Sequence, residues 1–222
     1  MPPVAAYDPI ADWYADYAGP DNAYSQRVAR TMARLLPTGS GDLCLDIGCG
    51  TGARAQTLRS LGWTPVGVDL SRGQLRHARH LMPVAAADAT ALPIADGALT
   101  SAVSVLTHTD LPDYPAVLRE AARVLRTGGT FVHIGIHPCF TGAFADRSDP
   151  ARIIVDAGYH RRERRFDSFT TQGVRDKVGA WHLPLADLLN AFRAADLEVV
   201  DTVEDGPDDG VPDLFAIAAV RQ

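Results

Sequence analysis

At 222 residues, 46% hydrophobic and 22% charged, the chain is long enough for one domain with a full core and too apolar for wholesale disorder. Its net charge of -6 argues against a general nucleic-acid binder, which needs a basic face to displace counterions. Apolar runs are broken by Asp, Gly or His well before the roughly 18 residues of a membrane span, so none is expected. The opening MPPVAAYDPI has neither a basic start nor an apolar stretch. No secretory leader is expected, and the expected compartment is the cytoplasm. Cys44, Cys49 and Cys139 form no CxxC pair and are too few for a disulfide framework; no metal site is expected.

Apolar and aromatic residues at helical spacing (Trp13, Tyr14, Tyr17, then Val28, Met32, Leu35) predict one or two helices over 7–36, broken at Gly19-Pro20-Asp21. LCLDI, from Leu43, reads as a buried strand. A helix over 53–61 follows, stopped by Gly62. TPVGVDL is the second strand, and Ser71 is placed to cap a helix over 72–81. PVAAAD is a weak third strand, 98–106 the fourth, 114–125 a helix and TFVHIGI the fifth strand, with Thr127-Gly128-Gly129 read as a turn before it. This alternation predicts a doubly wound α/β domain with a parallel sheet covered on both faces. The rhythm is lost over 138–182. It returns as a helix over 185–195 and two strands, LEVVDTVED and DLFAIAAV.

The strongest local signal is Asp46-Ile47-Gly48-Cys49-Gly50-Thr51-Gly52, between the first strand and its helix. Glycines there permit a tight turn and close approach of a ligand to the main chain. The pattern also satisfies a dinucleotide motif when Ala53 is counted, with Asp69 at about the right distance for a ribose, so the glycines alone do not choose the ligand. A carboxylate at Asp46 sits badly beside a pyrophosphate and suits an ammonium group; a structural role fixing loop amides is the alternative. Asp69 ends the second strand, where a carboxylate can accept both hydroxyls of a ribose. Asp88, after the third strand, can accept from an adenine amino group or serve as a turn residue. Arg54, read as a single exposed arginine after a loop, adds little.

In order, LDIGCGTG, VGVDLS, AADATALPIADGALTSAVS and LREAARVLRTGGTFV resemble the successive motifs of class I S-adenosylmethionine-dependent methyltransferases, over about 43–135. The resemblance is to the small-molecule branch that includes ubiquinone/menaquinone-type enzymes. It implies a Rossmann-like, seven-stranded sheet of order 3-2-1-4-5-7-6 with the last strand antiparallel, in a single domain over 1–222. A helical lid over 1–36 and a helical or irregular substrate cap over 138–182 complete it. S-adenosylmethionine is the implied cofactor, and a small molecule the implied acceptor.

The resemblance also implies residue roles. Gly48, Gly50 and Gly52, with Cys49 in the same loop, would line the methionine part. Asp69 would hold the ribose and Leu70 lie against the adenine, with Asp88 and Ala89 at its edge. Gln74 stands where the family often has Met over the adenine face. Val105, Leu106 and Thr107 would lie near the sulfonium. Tyr7 and Tyr14 match an N-terminal pattern whose aromatic residues close over the cofactor, although both also suit a helix core.

Methyl transfer needs alignment and exclusion of water, and a general base only where the acceptor loses a proton. His108 and then His182 are the candidate bases. His137 is also placed to open toward the cleft, while His133, inside a strand, reads as structural. Phe140, Phe144, Tyr159, Phe166 and Phe169 can form an apolar acceptor pocket in the cap. Arg161, Arg162, Arg164 and Arg165 read as a solvated face, with reception of an anionic acceptor as the other reading. Two other functions stay open: a nicotinamide-dependent oxidoreductase, and a non-methylating protein that binds S-adenosylmethionine as a scaffold or for another reaction.

Overall fold

Consecutive strand residues separate into two hydrophobic layers, and this alternation organises the computed structural model, which describes residues 5–18, 22–149, 151–167 and 173–222. In β1 (Leu43–Ile47), Leu45 and Ile47 join a core with Tyr114, Leu118 and Phe192. Cys44 joins a second core with Val28, Met32 and Leu58 on the other face. A strand alternates its side chains, so helices on both sides explain why β1 reads as a continuous apolar run.

The remaining strands are β2 (Thr64–Asp69), β3 (Val84–Ala86), β4 (Leu99–Val105), β5 (Leu125–Ile136), β6 (Ala145–Asp149), β7 (Arg152–Val155), β8 (Leu197–Asp205) and β9 (Leu214–Arg221). The main sheet runs β3-β2-β1-β4-β5-β9-β8. β9 lies antiparallel to β5, and the strands from β3 to β5 pair in parallel. This is the expected order with a separate hairpin, β6–β7, inserted before the final pair.

The N-terminal region holds a 3-10 turn (Asp8–Ile10), α1 (Ala11–Tyr17) and α2 (Ala23–Leu35). Asn22 Oδ1 caps α2 by accepting the Ser25 amide at 2.7 Å. The predicted break at Gly19, Pro20 and Asp21 lies outside the described residues. Further helices are α3 (Ala55–Ser60), α4 (Arg72–Ala78), α5 (Tyr114–Val124), α6 (Val174–Val178) and α7 (Leu185–Ala194). Ser71 Oγ caps α4 as predicted, accepting the Gln74 amide at 3.1 Å. Asp8 Oδ1 accepts from Ser71 Oγ at 2.7 Å and from the Gly73 amide at 2.8 Å. That double contact fixes the first helical turn beside α4.

Two expectations change. Thr127-Gly128-Gly129 is not a turn ahead of β5 but part of it. The pairing steps from Leu99↔Leu125 to Ser101↔Thr130, so residues 126–129 bulge opposite Thr100, with Gly128 at φ 78°. The 138–182 stretch is not wholly irregular: it carries β6, β7, a 3-10 turn (Ala157–His160), α6 and a bridge between Arg165 and Ala180.

Candidate functional site

The carboxyl ends of β1, β2, β4 and β5 open into a cavity of about 860 Å³, walled by the N-terminal helices and the 138–182 segment. In open α/β sheets, ligands collect at this edge. The floor is the loop after β1. Gly48 and Gly50 adopt φ 73° and 53°, a region that disfavours L side chains. A Cβ on Gly48 would stand 2.4 Å from Thr107 Cγ2. The loop is pinned from β2: Asp69 Oδ2 accepts the Gly50 amide and Oδ1 the Ser71 amide, each at 2.8 Å.

Asp46 is buried, and its Oδ2 has no partner among the described residues. Burial pushes its carboxyl up to about 7, against the pull of Arg54. An uncompensated buried carboxylate calls for a cation or a donor from a ligand. Gln74 Oε1, also buried and without a partner there, stands 3.0 Å from where a Gly50 Cβ would lie.

Leu106, at the end of β4, holds φ 59° while its amide donates to Ile134 O at 2.7 Å. Such a conformation costs about 1–2 kcal/mol in a residue with a Cβ, and strain of this kind collects at functional sites. Leu106 lines the cavity, as do Tyr14, Asp46, Gly48, Cys49, Gly50, Asp69, Leu70, Gln74, Asp88 and Ala89. Asp88 also makes a local turn, its Oδ1 accepting from Thr90 N at 2.8 Å and Thr90 Oγ1 at 2.7 Å.

Gly52 departs from the expectation. It does not face the cavity but packs on α4, where a Cβ would meet Ala78 Cα at 3.1 Å and Leu81 Cδ1 at 3.3 Å. Its smallness serves helix packing.

Tyr7 and Tyr14 meet edge to face at 5.1 Å over the opening, and Tyr7 donates to Asp110 Oδ1 at 3.1 Å. Burial raises the Tyr14 hydroxyl to about 12, so it stays protonated.

The histidines separate clearly. His108 and His182 line the cavity, and each keeps a buried ring nitrogen, Nδ1 and Nε2 respectively, without a partner among the described residues. Burial holds His108 well below the usual imidazole range and His182 at about 4, so both are neutral at pH 7. His133 does not line the cavity: Tyr114 Oη meets its Nδ1 at 2.7 Å, and its buried Nε2 is also without a partner among the described residues. His137 does not open to the cleft. Its Nδ1 accepts the Cys139 amide at 3.1 Å and its Nε2 meets Glu204 Oε1 at 2.7 Å, which ties the residue just after β5 to β8.

Arg54 is the residue whose importance the sequence hides. It is half-buried on the cavity wall, and its guanidinium donates to Ser25 O and Oγ, each at 3.2 Å, with no carboxylate within ion-pair distance among the described residues. No local pattern marks it, because its anchor lies in α2. Around the loop, β1, β2 and α4 present acceptors at Asp46, Asp69 and Gln74, and Arg54 adds a cation. That set suits a ligand with an ammonium, a carboxylate and a ribose, and the carboxyl of Asp46 disfavours a diphosphate beside it.

Residues 45–133 match the family described as "Methyltransferase domain". The methyltransferase GfsG of Streptomyces halstedii is 33% identical over 138 residues, 58% of this chain and 46% of that protein. The demethylmenaquinone methyltransferase of Corynebacterium urealyticum is 36% identical over 112 residues, 50% and 47% of the two chains. The chain thus spans about half the length of these relatives. The crystal structure of an S-adenosylmethionine-dependent methyltransferase from Mesorhizobium loti superposes with a TM-score of 0.74 at 24% identity, covering 91% of this chain and 100% of that one. Residues 45–133 match a methyltransferase domain, and motif order, strand order and these likenesses agree that the chain has the fold of class I S-adenosylmethionine-dependent methyltransferases.

Proposed function

We propose that the chain methylates a small-molecule acceptor from S-adenosylmethionine, at oxygen, nitrogen or carbon. The observation that carries this reading is the buried Asp46 oxygen, without a partner among the described residues, beside a glycine loop clamped by Asp69. When bound, the cofactor supplies a methyl carbon activated by positive sulfur. This chain's residues bind, orient and exclude water.

In this reading Asp46 accepts from the methionine ammonium and Arg54 receives its carboxylate. Asp69 keeps a lone pair on each oxygen for the ribose hydroxyls after holding Gly50 and Ser71. Leu70, Gln74, Asp88 and Ala89 surround the adenine, and Cys49 completes the loop. Tyr7 and Tyr14 form part of a lid over 1–36. The described part of 138–182 caps the acceptor, with Phe144 and Trp181 as apolar walls; Phe140, Tyr159 and Phe166 do not line the cavity, and Phe169 lies outside the described residues. His108 takes the acceptor's proton where one is released, since its ring is neutral and its Nδ1 has no partner among the described residues, although burial lowers its proton affinity; His182 is the second candidate.

Calorimetry with S-adenosylhomocysteine and with NAD, followed by mass spectrometry of a small-molecule panel incubated with S-adenosylmethionine, tests the reading. Binding of S-adenosylhomocysteine and a product heavier by one methylene support it. Preference for NAD, or cofactor binding with no methylated product from any acceptor in a panel of phenols, amines and quinols, overturns it.

A further inference from the structure

The cavity changes sign along its length. At the glycine loop its charges are mainly carboxylates, whereas the 138–182 wall is rich in arginine, in a protein of net charge -6. Most of those guanidiniums are already answered. Arg175 pairs with Asp110, Arg165 with Asp167, and Arg161 faces Glu163. Arg147 differs.

Its Nη1 donates to Phe140 O at 2.7 Å and to Thr141 Oγ1 at 3.4 Å, and its Nη2 to Val211 O at 3.2 Å. All three partners are neutral, and no carboxylate among the described residues lies within ion-pair distance of it. Asp213, two residues beyond Val211 and also on the cavity wall, is taken by Arg27 through two hydrogen bonds of 2.8 and 2.9 Å. Arg147 is half-buried, so solvent screens its charge incompletely. A guanidinium immobilised by carbonyls, with donors left over and an unbalanced charge facing a cavity, is preorganised for an oxyanion. Phe144, three residues before it, and Trp181 give the same chamber apolar walls.

We propose that the methyl acceptor is an amphiphilic anion, an apolar or aromatic body bearing a carboxylate or phosphate group, and that Arg147 anchors that group. The placement of the acceptor rests on the methyl-transfer reading; the anion site itself does not.

The test uses the full chain, with and without S-adenosylhomocysteine. Three probes share one ring system: 2-naphthoate, 2-naphthyl phosphate and the neutral 2-naphthamide. Binding is followed by calorimetry. At least one anion is expected to bind about tenfold or more tightly than the amide, as one charge-assisted contact implies, and the better of the two identifies carboxylate or phosphate. Arg147→Gln is expected to abolish the preference while leaving amide and S-adenosylhomocysteine affinities unchanged, and Arg147→Lys to restore part of it.

Equal binding of amide and anions, absence of saturable anion binding, or an Arg147→Gln variant that weakens all three probes alike overturns the proposal. The last result would mark Arg147 as structural. An anion preference lost in Arg147→Gln, in a protein that fails to bind S-adenosylhomocysteine, supports the anion site and overturns the methyl-transfer reading instead.

Discussion

Asp69 reaches across the β1–β2 boundary and holds the Gly50 amide at 2.8 Å, so one carboxylate both shapes the glycine loop and faces the cavity beside it. Its second oxygen accepts the Ser71 amide at 2.8 Å and locks the start of α4 in the same frame. In the proposed reading, replacing it removes the ribose acceptor and frees the loop together. Asp69→Ala is expected to weaken S-adenosylhomocysteine binding by about 1.5–3 kcal/mol, the usual worth of hydrogen bonds to a charged group. Asp69→Asn, which keeps one acceptor oxygen, should lose less. Calorimetry on both variants decides; unchanged affinity in Asp69→Ala contradicts the ribose assignment.

The Asp46 carboxyl makes stability and ligand binding respond to pH in opposite directions. Burial raises its pKa from 3.8 to about 7, with Arg54 opposing and Asp69 adding to the rise. A raised folded pKa means stability that is fully present below the unfolded pKa and lost as pH climbs through the folded one. The free protein should therefore weaken between about pH 4 and 7 and level off above. The difference from Asp46→Asn should reach at most about 4 kcal/mol, since each tenfold change in proton affinity is worth about 1.4 kcal/mol. S-adenosylhomocysteine affinity should rise over the upper part of this range, because in the proposed reading it is the ionised form that meets the ammonium. Denaturant melts and calorimetry from pH 4 to 8 check both arms. A flat difference between the two proteins would exclude Asp46 as the titrating group.

His108 is held against β5 by the absence of a side chain at Gly135. A Cβ there would lie 2.5 Å from His108 Cε1, 2.6 Å from its Nδ1 and 2.8 Å from His133 Nε2. His133 is tied to Tyr114, so His108 is the ring that must move. Gly135→Ala is expected to cost about 1–3 kcal/mol of stability through overpacking. Its turnover should fall toward that of His108→Ala, for which a loss of about 10²–10⁴ is expected if the ring is the base. Both variants should still bind S-adenosylhomocysteine. Normal turnover in His108→Ala removes the ring from the chemistry.

What was legible in the sequence was what local chemistry controls. The loop glycines and the Ser71 cap announce their conformations by residue type, and β1 by its apolar run. The bulge at 126–129 was hidden because paired glycines signal a turn equally well; only the partner strand's register, with Thr100 alone facing four residues, shows otherwise. β6 and β7 were hidden because both strands are short and mostly exposed, as Ile154 and Val155 are, so no alternation of apolar and polar residues marks them. Arg54 and Gly52 were misread for a shared reason. The contacts that decide them, with Ser25 in α2 and Ala78 in α4, are tertiary.

Gly48 carries two separable penalties for any side chain, and a double variant can divide them. Its φ of 73° costs about 1–2 kcal/mol in a residue with a Cβ. A Cβ there would also lie 2.4 Å from Thr107 Cγ2 and 2.7 Å from Thr107 Oγ1, an overlap worth about 1–3 kcal/mol. Gly48→Ala should therefore lose about 2–5 kcal/mol of stability and bind S-adenosylhomocysteine at least tenfold more weakly. Adding Thr107→Ala removes both overlapping atoms but leaves Thr107 Cβ, 3.1 Å away, and the backbone conformation untouched. The double variant should recover about half of the lost stability in a denaturant melt. Full recovery would show that the loop tolerates the left-handed backbone without glycine; no recovery would show that the contact with Thr107 carries none of the cost.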